Sequence, residues 1–204
     1  MRNRSRSIRV ALLVPLLLLG SAWCMGEQKA QPKRLELGDP APDLQVSVVK
    51  GDPVQLARDR GKVYIVEFWA TWCGPCKYSI PHLTKLQEKY RDKGLVVVGI
   101  SAETPPVVKP FVEKQGKGMN YTVAVDESRK TSRAYMEPFG VTGIPWAFVV
   151  DRDGLLVWTG HPMDPFMEEL VGALLEENSS DSPAEKDTPA VLAPGKSAGD
   201  AKAP

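Results

Sequence analysis

The sequence predicts an α/β domain with a central mixed β-sheet covered by helices on both faces. Segments with strand character alternate with segments of helical periodicity, and this alternation is typical of helices packed against a sheet. Two strand segments, residues 62–69 and 95–101, are strongly apolar, as expected of central strands buried on both faces. A hairpin pattern near the end of the domain adds antiparallel strands, so the sheet is expected to be mixed.

The first half of the predicted domain leads into a pair of closely spaced cysteines. Alternating apolar residues predict a strand at 44–48, and after a turn the segment 54–56 could pair back as a short second strand. The strand at 62–69 runs directly toward the cysteines. A helix follows and ends near Gly94, with these residues on its apolar face: Ile80, Leu83, Leu86 and Tyr90.

The second half of the domain alternates strands and helices before the final hairpin. Strands are predicted at 95–101 and 121–125, with a helix between them at 105–114 that Pro110 should bend. The remaining predicted elements are a helix at 127–136, hairpin strands at 146–150 and 155–158, and a closing helix at 164–176 with Phe166, Leu170 and Leu174 turned inward.

The composition excludes several classes of protein. The chain has 26 Lys and Arg against 25 Asp and Glu, so its net charge gives no indication of a nucleic-acid partner. It has only 3 cysteines, and two of them, Cys73 and Cys76, are too close for a disulfide-stapled scaffold. The close pair is therefore expected to have a chemical role rather than a structural one.

The N-terminal segment has the parts of a secretory signal. Residues 1–9 carry four arginines and no acidic residue, and the short apolar run 10–20 and two small residues follow. We assign 1–26 to a signal peptide or an N-terminal membrane anchor, which sends the rest of the chain out of the cytoplasm. Lipidation of Cys24 would also anchor the protein, although bulky Trp23 occupies the place where lipoprotein signals have a small residue.

The C-terminal segment is expected to lie outside the fold. Residues 178–204 are rich in Ala, Pro, Ser, Lys and Asp, and they contain too little apolar surface to offset the chain entropy lost on folding. We therefore predict a disordered tail at 178–204 and a folded domain at 35–177.

The spacing of Cys73 and Cys76 suits dithiol chemistry. One thiolate must form near neutral pH, and the second thiol must resolve the mixed disulfide. Cys73 lies at a strand-to-helix junction, where unpaired amides and the helix dipole stabilise a thiolate. Cys76 lies one turn further along the helix, near enough to close a small disulfide ring. Pro75 suits the first helical turn because that turn leaves an N–H unpaired.

These residues resemble the thioredoxin superfamily, and more closely its exported TlpA/ResA-like branch. The core of the resemblance is Phe68-Trp-Ala-Thr-Trp-Cys-Gly-Pro-Cys76, together with Pro81 in the following helix and Gly143-Ile144-Pro145. Gly38-Asp-Pro-Ala-Pro-Asp-Leu44 is similar to the N-terminal extension of that branch, and the helix between the strands at 95–101 and 121–125 resembles its helical insertion. The resemblance implies a thioredoxin-like fold over most of residues 38–176.

The resemblance also implies roles for individual residues. Cys73 would attack a substrate disulfide, and Cys76 would resolve the intermediate. Glu67 lies where thioredoxin has a buried acid; burial should raise its pKa and let it exchange a proton with Cys76. The Ile144–Pro145 peptide bond is expected to be cis. Substrate contacts are expected at Trp72, Gly74, Pro75, Ile144 and Pro145.

One position departs from the ResA-like pattern and one agrees with thioredoxin itself. ResA-like proteins carry a further glutamate shortly after the second cysteine, where this chain has Ser79, so the substrate discrimination tied to that acid is not transferred. The Gly74-Pro75 pair between the cysteines is the thioredoxin choice, which favours a reducing couple.

Taken together, the resemblance implies an extracytoplasmic thiol–disulfide oxidoreductase. It would exchange two electrons with protein thiols and disulfides, without an organic cofactor or a metal, and act as a reductant, for example in cytochrome c assembly. A membrane-embedded thiol donor would recharge it. We expect it in the periplasm or anchored to the outer face of the cytoplasmic membrane, with membrane contact through the N-terminal segment if that segment is uncleaved or lipidated.

Three alternatives involve the same cysteines. A zinc site would need His82 and His161, which have no metal-like spacing to the pair. Copper(I) suits soft thiolates, and a copper-binding assembly factor is the main alternative, although such proteins resemble Cys-X-X-X-Cys with a distant His. A peroxiredoxin would need a Thr where this chain has Ala70.

Overall fold

The computed structural model of the chain describes residues 34–176. The predicted signal peptide or anchor at 1–26 and the predicted tail at 178–204 lie outside the described residues. Within 34–176, no helix combines the length and the apolar character needed to cross a membrane.

Six strands form one mixed sheet in the order β1-β4-β3-β2-β5-β6. Their bounds are β1 Ser47–Lys50, β2 Val63–Trp69, β3 Leu95–Ser101, β4 Thr122–Val125, β5 Trp146–Val150 and β6 Leu156–Gly160. The β2–β3 and β3–β4 pairs are parallel, whereas β1–β4, β2–β5 and β5–β6 are antiparallel. The prediction of a mixed sheet with two strongly apolar central strands is confirmed.

Four α-helices connect or follow the strands. They are α1 Cys76–Tyr90, α2 Pro105–Gln115, α3 Lys130–Met136 and α4 Pro165–Glu176. Short 3₁₀ turns at Arg91–Lys93, Gly116–Met119 and Glu137–Phe139 extend the first three of them. Gly94 follows the turn after α1 with a left-handed φ of 95°, so the helical run ends where the sequence predicts.

Strand β2 organises the core because all seven of its residues are buried. Side chains alternate between the two faces of a strand. Val63, Ile65 and Trp69 pack with α1, α2 and α4 on one face, and Tyr64, Val66 and Phe68 pack with α3 on the other. Helices therefore cover both faces, and the residues after β2 emerge at the edge of the sheet where α1 begins.

The predicted strands near the N-terminus are partly wrong. The segment 54–56 forms no strand: Arg58 N and Asp59 N both donate to the Gln55 carbonyl, so the backbone turns there, while Leu56 is buried under the sheet. The first strand begins at Ser47 rather than at 44, because the backbone N–H of Gln45 donates to the Thr131 hydroxyl instead of to a neighbouring strand.

Two helix predictions also need correction. Helix α3 begins at Lys130 rather than at 127, because Arg129 has a left-handed φ of 56°. In α4, Phe166 is 54 % exposed, and the face against the sheet consists of Met167, Val171 and Leu175. The inward face was predicted one position too early, because both faces of this helix carry apolar residues; Leu170 and Leu174 are partly buried at its margin.

Candidate active site

Cys73 and Cys76 form a disulfide at the start of α1. The loop from Ala70 to Pro75 carries the chain from the end of β2 to that helix, and Pro75 already has helical backbone angles. The backbone N–H of Cys76 donates to Cys73 Sγ over 3.2 Å. That N–H and the positive end of the helix dipole would stabilise a Cys73 thiolate once the bond is reduced.

The cysteines lie under an exposed rim. Cys73 is only 3 % exposed and Cys76 is fully buried, but the neighbouring Trp72 is 72 % exposed. Gly74 and Pro75, between the cysteines, are also exposed. Access to the disulfide is therefore through the immediate surroundings of Trp72 and the Gly74-Pro75 turn.

The loop before β5 approaches the disulfide from the opposite side. Its Ile144–Pro145 peptide bond is cis, as expected from the sequence. The carbonyl oxygen of Ile144 lies 3.8 Å from Cys73 Sγ, so this loop is the part of the backbone that faces the outer sulfur. Pro145 itself is buried.

A groove of about 700 Å³ extends from this loop to α3. Trp72 and Ile144 line it at the disulfide end, and Arg129 and Arg133 line it on the α3 side. Glu103 also lines the groove. The groove thus combines apolar surface next to the disulfide with charged groups farther along.

Glu103 holds the loop that carries Trp72. Its carboxylate accepts hydrogen bonds from the Thr71 N–H over 2.7 Å and the Thr71 hydroxyl over 2.8 Å. The Ser101 hydroxyl donates to the same carboxylate over 3.0 Å. The sequence analysis missed this residue, because its contact with Thr71 joins chain segments 32 positions apart.

Glu67 is fully buried in the middle of β2, on the α1 face of the sheet. Burial raises its pKa to about 8, and a hydrogen bond from Ser79 opposes part of that rise. The elevated pKa agrees with the expectation from the sequence. A buried carboxyl group with a pKa in this range can take up and release a proton near neutral pH.

Ser79 connects Glu67 to the backbone of Cys76. The Ser79 hydroxyl oxygen lies 2.6 Å from Glu67 Oε1 and 2.9 Å from the Cys76 carbonyl oxygen. A hydroxyl group has one proton to donate, so both contacts are hydrogen bonds at once only when Glu67 is protonated and donates to Ser79. The sequence showed Ser79 only as a departure from a family pattern; its place one turn after Cys76 was the available signal.

The two histidines are not part of the hydrogen-bonded group formed by Glu67, Ser79 and Cys76. His82 is half-buried on α1, and burial lowers its pKa. His161 is exposed in the loop after β6. Among residues 34–176, no group of three or more His, Cys, Asp or Glu side chains is arranged to hold a metal ion.

Comparison with known proteins places this site in a family. Residues 37–159 match the model of the AhpC/TSA family. The thiol-disulfide oxidoreductase ResA of Bacillus anthracis is 33 % identical over 129 residues, which cover 63 % of this chain and 71 % of the relative. ResA of Geobacillus thermodenitrificans is 26 % identical over 156 residues, or 76 % of this chain and 86 % of the relative.

A solved structure gives the same result. The thiol:disulfide interchange protein of the thioredoxin family from Chlorobium tepidum has a TM-score of 0.56 and 33 % identity, with 67 % of this chain and 95 % of that chain covered. The TM-score shows that the two chains share a fold, which agrees with the mixed sheet described above. The chain therefore belongs to the AhpC/TSA family and is a thiol–disulfide oxidoreductase with a thioredoxin-like fold.

Proposed function

We propose that the protein reduces disulfides of extracytoplasmic proteins with the Cys73–Cys76 pair. The observation that carries this proposal is the Cys76 N–H donated to Cys73 Sγ at the start of α1, which supports Cys73 as the sulfur that becomes a thiolate. In this proposal Cys73 is the nucleophile and Cys76 is the resolving thiol.

The reaction has two exchange steps. The Cys73 thiolate attacks a substrate disulfide; a bond forms between Cys73 and one substrate sulfur, and the other substrate sulfur leaves as a thiolate. Cys76 then loses its proton and attacks Cys73, which breaks the mixed disulfide and releases the second substrate thiolate. The substrate gains two electrons, and its two thiolates take up two protons, one released from Cys76 and one from solvent that received the Cys73 proton; the protein ends with the Cys73–Cys76 disulfide.

Glu67 is proposed to accept the Cys76 proton in the second step. Burial raises the pKa of Glu67 to about 8, so its carboxylate is a strong enough base to accept a proton from a thiol near neutral pH. Ser79 lies in contact with both residues and supports this assignment.

The substrate is proposed to bind at the rim around the disulfide. Trp72, Gly74 and Pro75 would contact it on one side, and Ile144 with Pro145 on the other. An extended segment with its cysteine over Cys73 could pair with the backbone of Ile144 and continue into the groove. The exposed Trp72 ring offers the largest apolar contact there.

The proposed cellular setting is supported by the sequence outside the described residues. The basic and apolar sequence of 1–26 supports export, with an anchor retained or Cys24 lipidated as the alternatives to cleavage. The Gly74-Pro75 turn supports a reducing couple. A reductant outside the cytoplasm needs an electron supply, for which we propose a membrane-embedded thiol donor. Cytochrome c assembly is the proposed process.

The redox potential of the purified chain tests the direction of electron flow. Equilibration in thiol buffers, with alkylation resolved by mass, should give a potential near the thioredoxin value of about −270 mV. A value near −120 mV, typical of strong oxidants, would make the protein an oxidant instead. No reversible two-electron couple would refute the proposed reaction.

Trapping distinguishes the two cysteines. The variant Cys76→Ser should accumulate a mixed disulfide with a disulfide substrate, and its matched control Cys73→Ser should not.

A membrane-impermeant maleimide tests the location of the protein. After reduction it should label Cys73 in intact cells as well as in lysed cells. Labelling only after lysis would contradict export.

The copper-binding alternative has its own test. The reduced chain is titrated with Cu(I) in competition with a chelator. Retention of copper by the wild type but not by Cys73→Ser would favour an assembly factor for copper. Loss of all copper to the chelator would remove that alternative.

A further inference from the structure

Three polar side chains lie around Gly99 on the α1 face of the sheet. Glu67 is paired with Gly99 across β2 and β3, and Trp69 is two residues further along β2, so it lies on the same face. A Cβ atom at Gly99 would lie 3.0 Å from Tyr121 Cε2 and 3.1 Å from Trp69 Nε1. Because Gly99 has no side chain, there is room for both rings beside Glu67.

Each of these three side chains has a buried polar atom without a hydrogen-bond partner among the described residues. They are Glu67 Oε2, Trp69 Nε1 and the Tyr121 hydroxyl. Buried polar atoms are paired in the great majority of cases, so a cluster of three needs an explanation. The indole N–H of Trp69 can only donate and the phenol of Tyr121 can donate, whereas Glu67 Oε2 is an oxygen that can accept a hydrogen bond.

The charge state of Glu67 supplies that explanation. In a neutral carboxyl group Oε1 is hydrogen-bonded to Ser79 and Oε2 is a carbonyl oxygen, which is a weaker acceptor than a carboxylate oxygen. In this state neither ring donor is hydrogen-bonded. An ionised carboxylate accepts several hydrogen bonds and uses both donors. No Lys or Arg is buried in the described part of the chain, so these uncharged donors are the local means of stabilising a negative charge there.

We propose that Tyr121 and Trp69 are positioning residues for the ionised form of Glu67. Their hydroxyl and indole N–H donate to Oε2, directly or through one bridging water, after Glu67 has given up its proton. Three uncharged donors, with Ser79 as the third, offset part of the cost of burying the charge. This inference rests on the proposed proton exchange between Glu67 and Cys76.

The other groups that face Glu67 do not duplicate this role. Helix α1 contributes Cys76 and Ser79, and β5 contributes Ala147, which is paired with Glu67 across the ladder. Burial, and then the nearby Glu67 charge, raise the pKa of Tyr121 well above its usual value, so the phenol keeps its proton and stays a donor. Among the described residues of the oxidised chain, the titratable group beside Glu67 is thus Tyr121; Cys76 becomes titratable only when the disulfide is reduced.

The test is the titration of Glu67 in Tyr121→Phe. The oxidised chain carries ¹³C-labelled glutamate, and its carboxyl resonances are followed by NMR from pH 5 to 10, with Glu67→Gln used to assign the signal. Because a hydrogen bond to a charged group contributes about 1.5–3 kcal/mol, the proton affinity of Glu67 should rise roughly ten- to hundredfold. Trp69→Phe, which keeps an aromatic ring, should shift it in the same direction.

Tyr135→Phe is the matched control. Tyr135 is also buried, but it lies on the opposite face of the sheet and donates to the Pro42 carbonyl. This variant should leave the titration of Glu67 unchanged. An unchanged titration in both Tyr121→Phe and Trp69→Phe, or an equal shift in Tyr135→Phe, would overturn the inference.

Stability provides a second readout that a purely structural role would not move. Tyr121→Phe should be as stable as the wild type or more stable at pH 6, where the hydroxyl has no partner, and less stable at pH 10, where it serves the carboxylate. An equal change at both pH values would contradict the inference.

The rate of the resolving step separates this inference from the proposed function. A shifted titration in Tyr121→Phe, with Glu67→Gln resolving mixed disulfides at the wild-type rate, supports the cluster and refutes the proton exchange. An unshifted titration with slow resolution in Glu67→Gln refutes the cluster and supports the exchange.

Discussion

Replacing Glu67 by glutamine should change how the stability of the protein depends on pH. The ordinary pKa of a glutamate is 4.5, and burial raises that of Glu67 to about 8. The folded state therefore holds a proton that the unfolded chain releases between these two values. Its contribution to stability is fully present below pH 4.5, declines as the pH rises toward 8, and is absent above that.

The magnitude follows from the difference between the two pKa values. Each pKa unit corresponds to 1.36 kcal/mol, so Glu67 removes about 5 kcal/mol from the free energy of unfolding between pH 4.5 and 8. Glutamine has nearly the same shape, keeps a contact with Ser79 and stays neutral. Glu67→Gln should therefore be close to the wild type at pH 5 and several kcal/mol more stable at pH 8.

Urea denaturation of the oxidised chain at half-unit steps from pH 5 to 8.5 measures this difference. Glu113→Gln is the control, because Glu113 is an exposed glutamate of α2. The control should follow the wild type at every pH. If the difference between Glu67→Gln and the wild type stayed constant within about 0.5 kcal/mol across this range, Glu67 would not be protonated in the folded protein near neutral pH, and the argument would be refuted.

Three further changes test other parts of the structure. Trp72→Ala should lower kcat/KM for a protein disulfide about tenfold without loss of stability. Tyr78→Ala removes a similarly exposed ring outside the groove and should leave kcat/KM unchanged. Steady-state assays measure kcat/KM and urea denaturation measures stability for both variants. Leu83→Ala, which empties a fully buried site under the sheet, should cost about 2–5 kcal/mol of unfolding free energy, and a loss below 1 kcal/mol would mean that α1 is not packed as described. Glu103→Ala leaves the Thr71 N–H without its acceptor, so it should cost about 1–3 kcal/mol and slow disulfide exchange; unaltered exchange would show that the Trp72 loop needs no such support.

Much of the fold is predictable from the sequence because the apolar residues of its strands and helices recur with the period of each element. The buried strands β2 and β3 and the hairpin of β5 and β6 agree with their predicted positions within one or two residues. The errors occur where a contact distant in the sequence decides the backbone. Gln45 is held by Thr131, 86 positions away, and no pattern around residue 45 indicates it.

The candidate site divides in the same way. The cysteines, Glu67 and the Ile144-Pro145 loop are found from the sequence because each belongs to a recognisable motif or to a strand that leads into one. The supporting residues are not. Glu103 and Tyr121 lie outside every motif, and only pairing of strands brings Glu103 to Thr71 and Tyr121 to the space above Gly99.

By itself, the sequence determined the chemistry of this protein: a dithiol at a strand-to-helix junction, with an acid inside the preceding strand. Those features depend on residue type and spacing along one continuous segment. Only the tertiary structure decided how deeply the acid is buried and which groups surround it. Burial sets the pKa of Glu67, and burial is a property of every element packed around it. Ser79 hydrogen-bonds the carboxyl group from a helix, and strand pairing places Trp69 and Tyr121 around Gly99, the residue paired with Glu67, because contacts depend on distance in space and not along the chain.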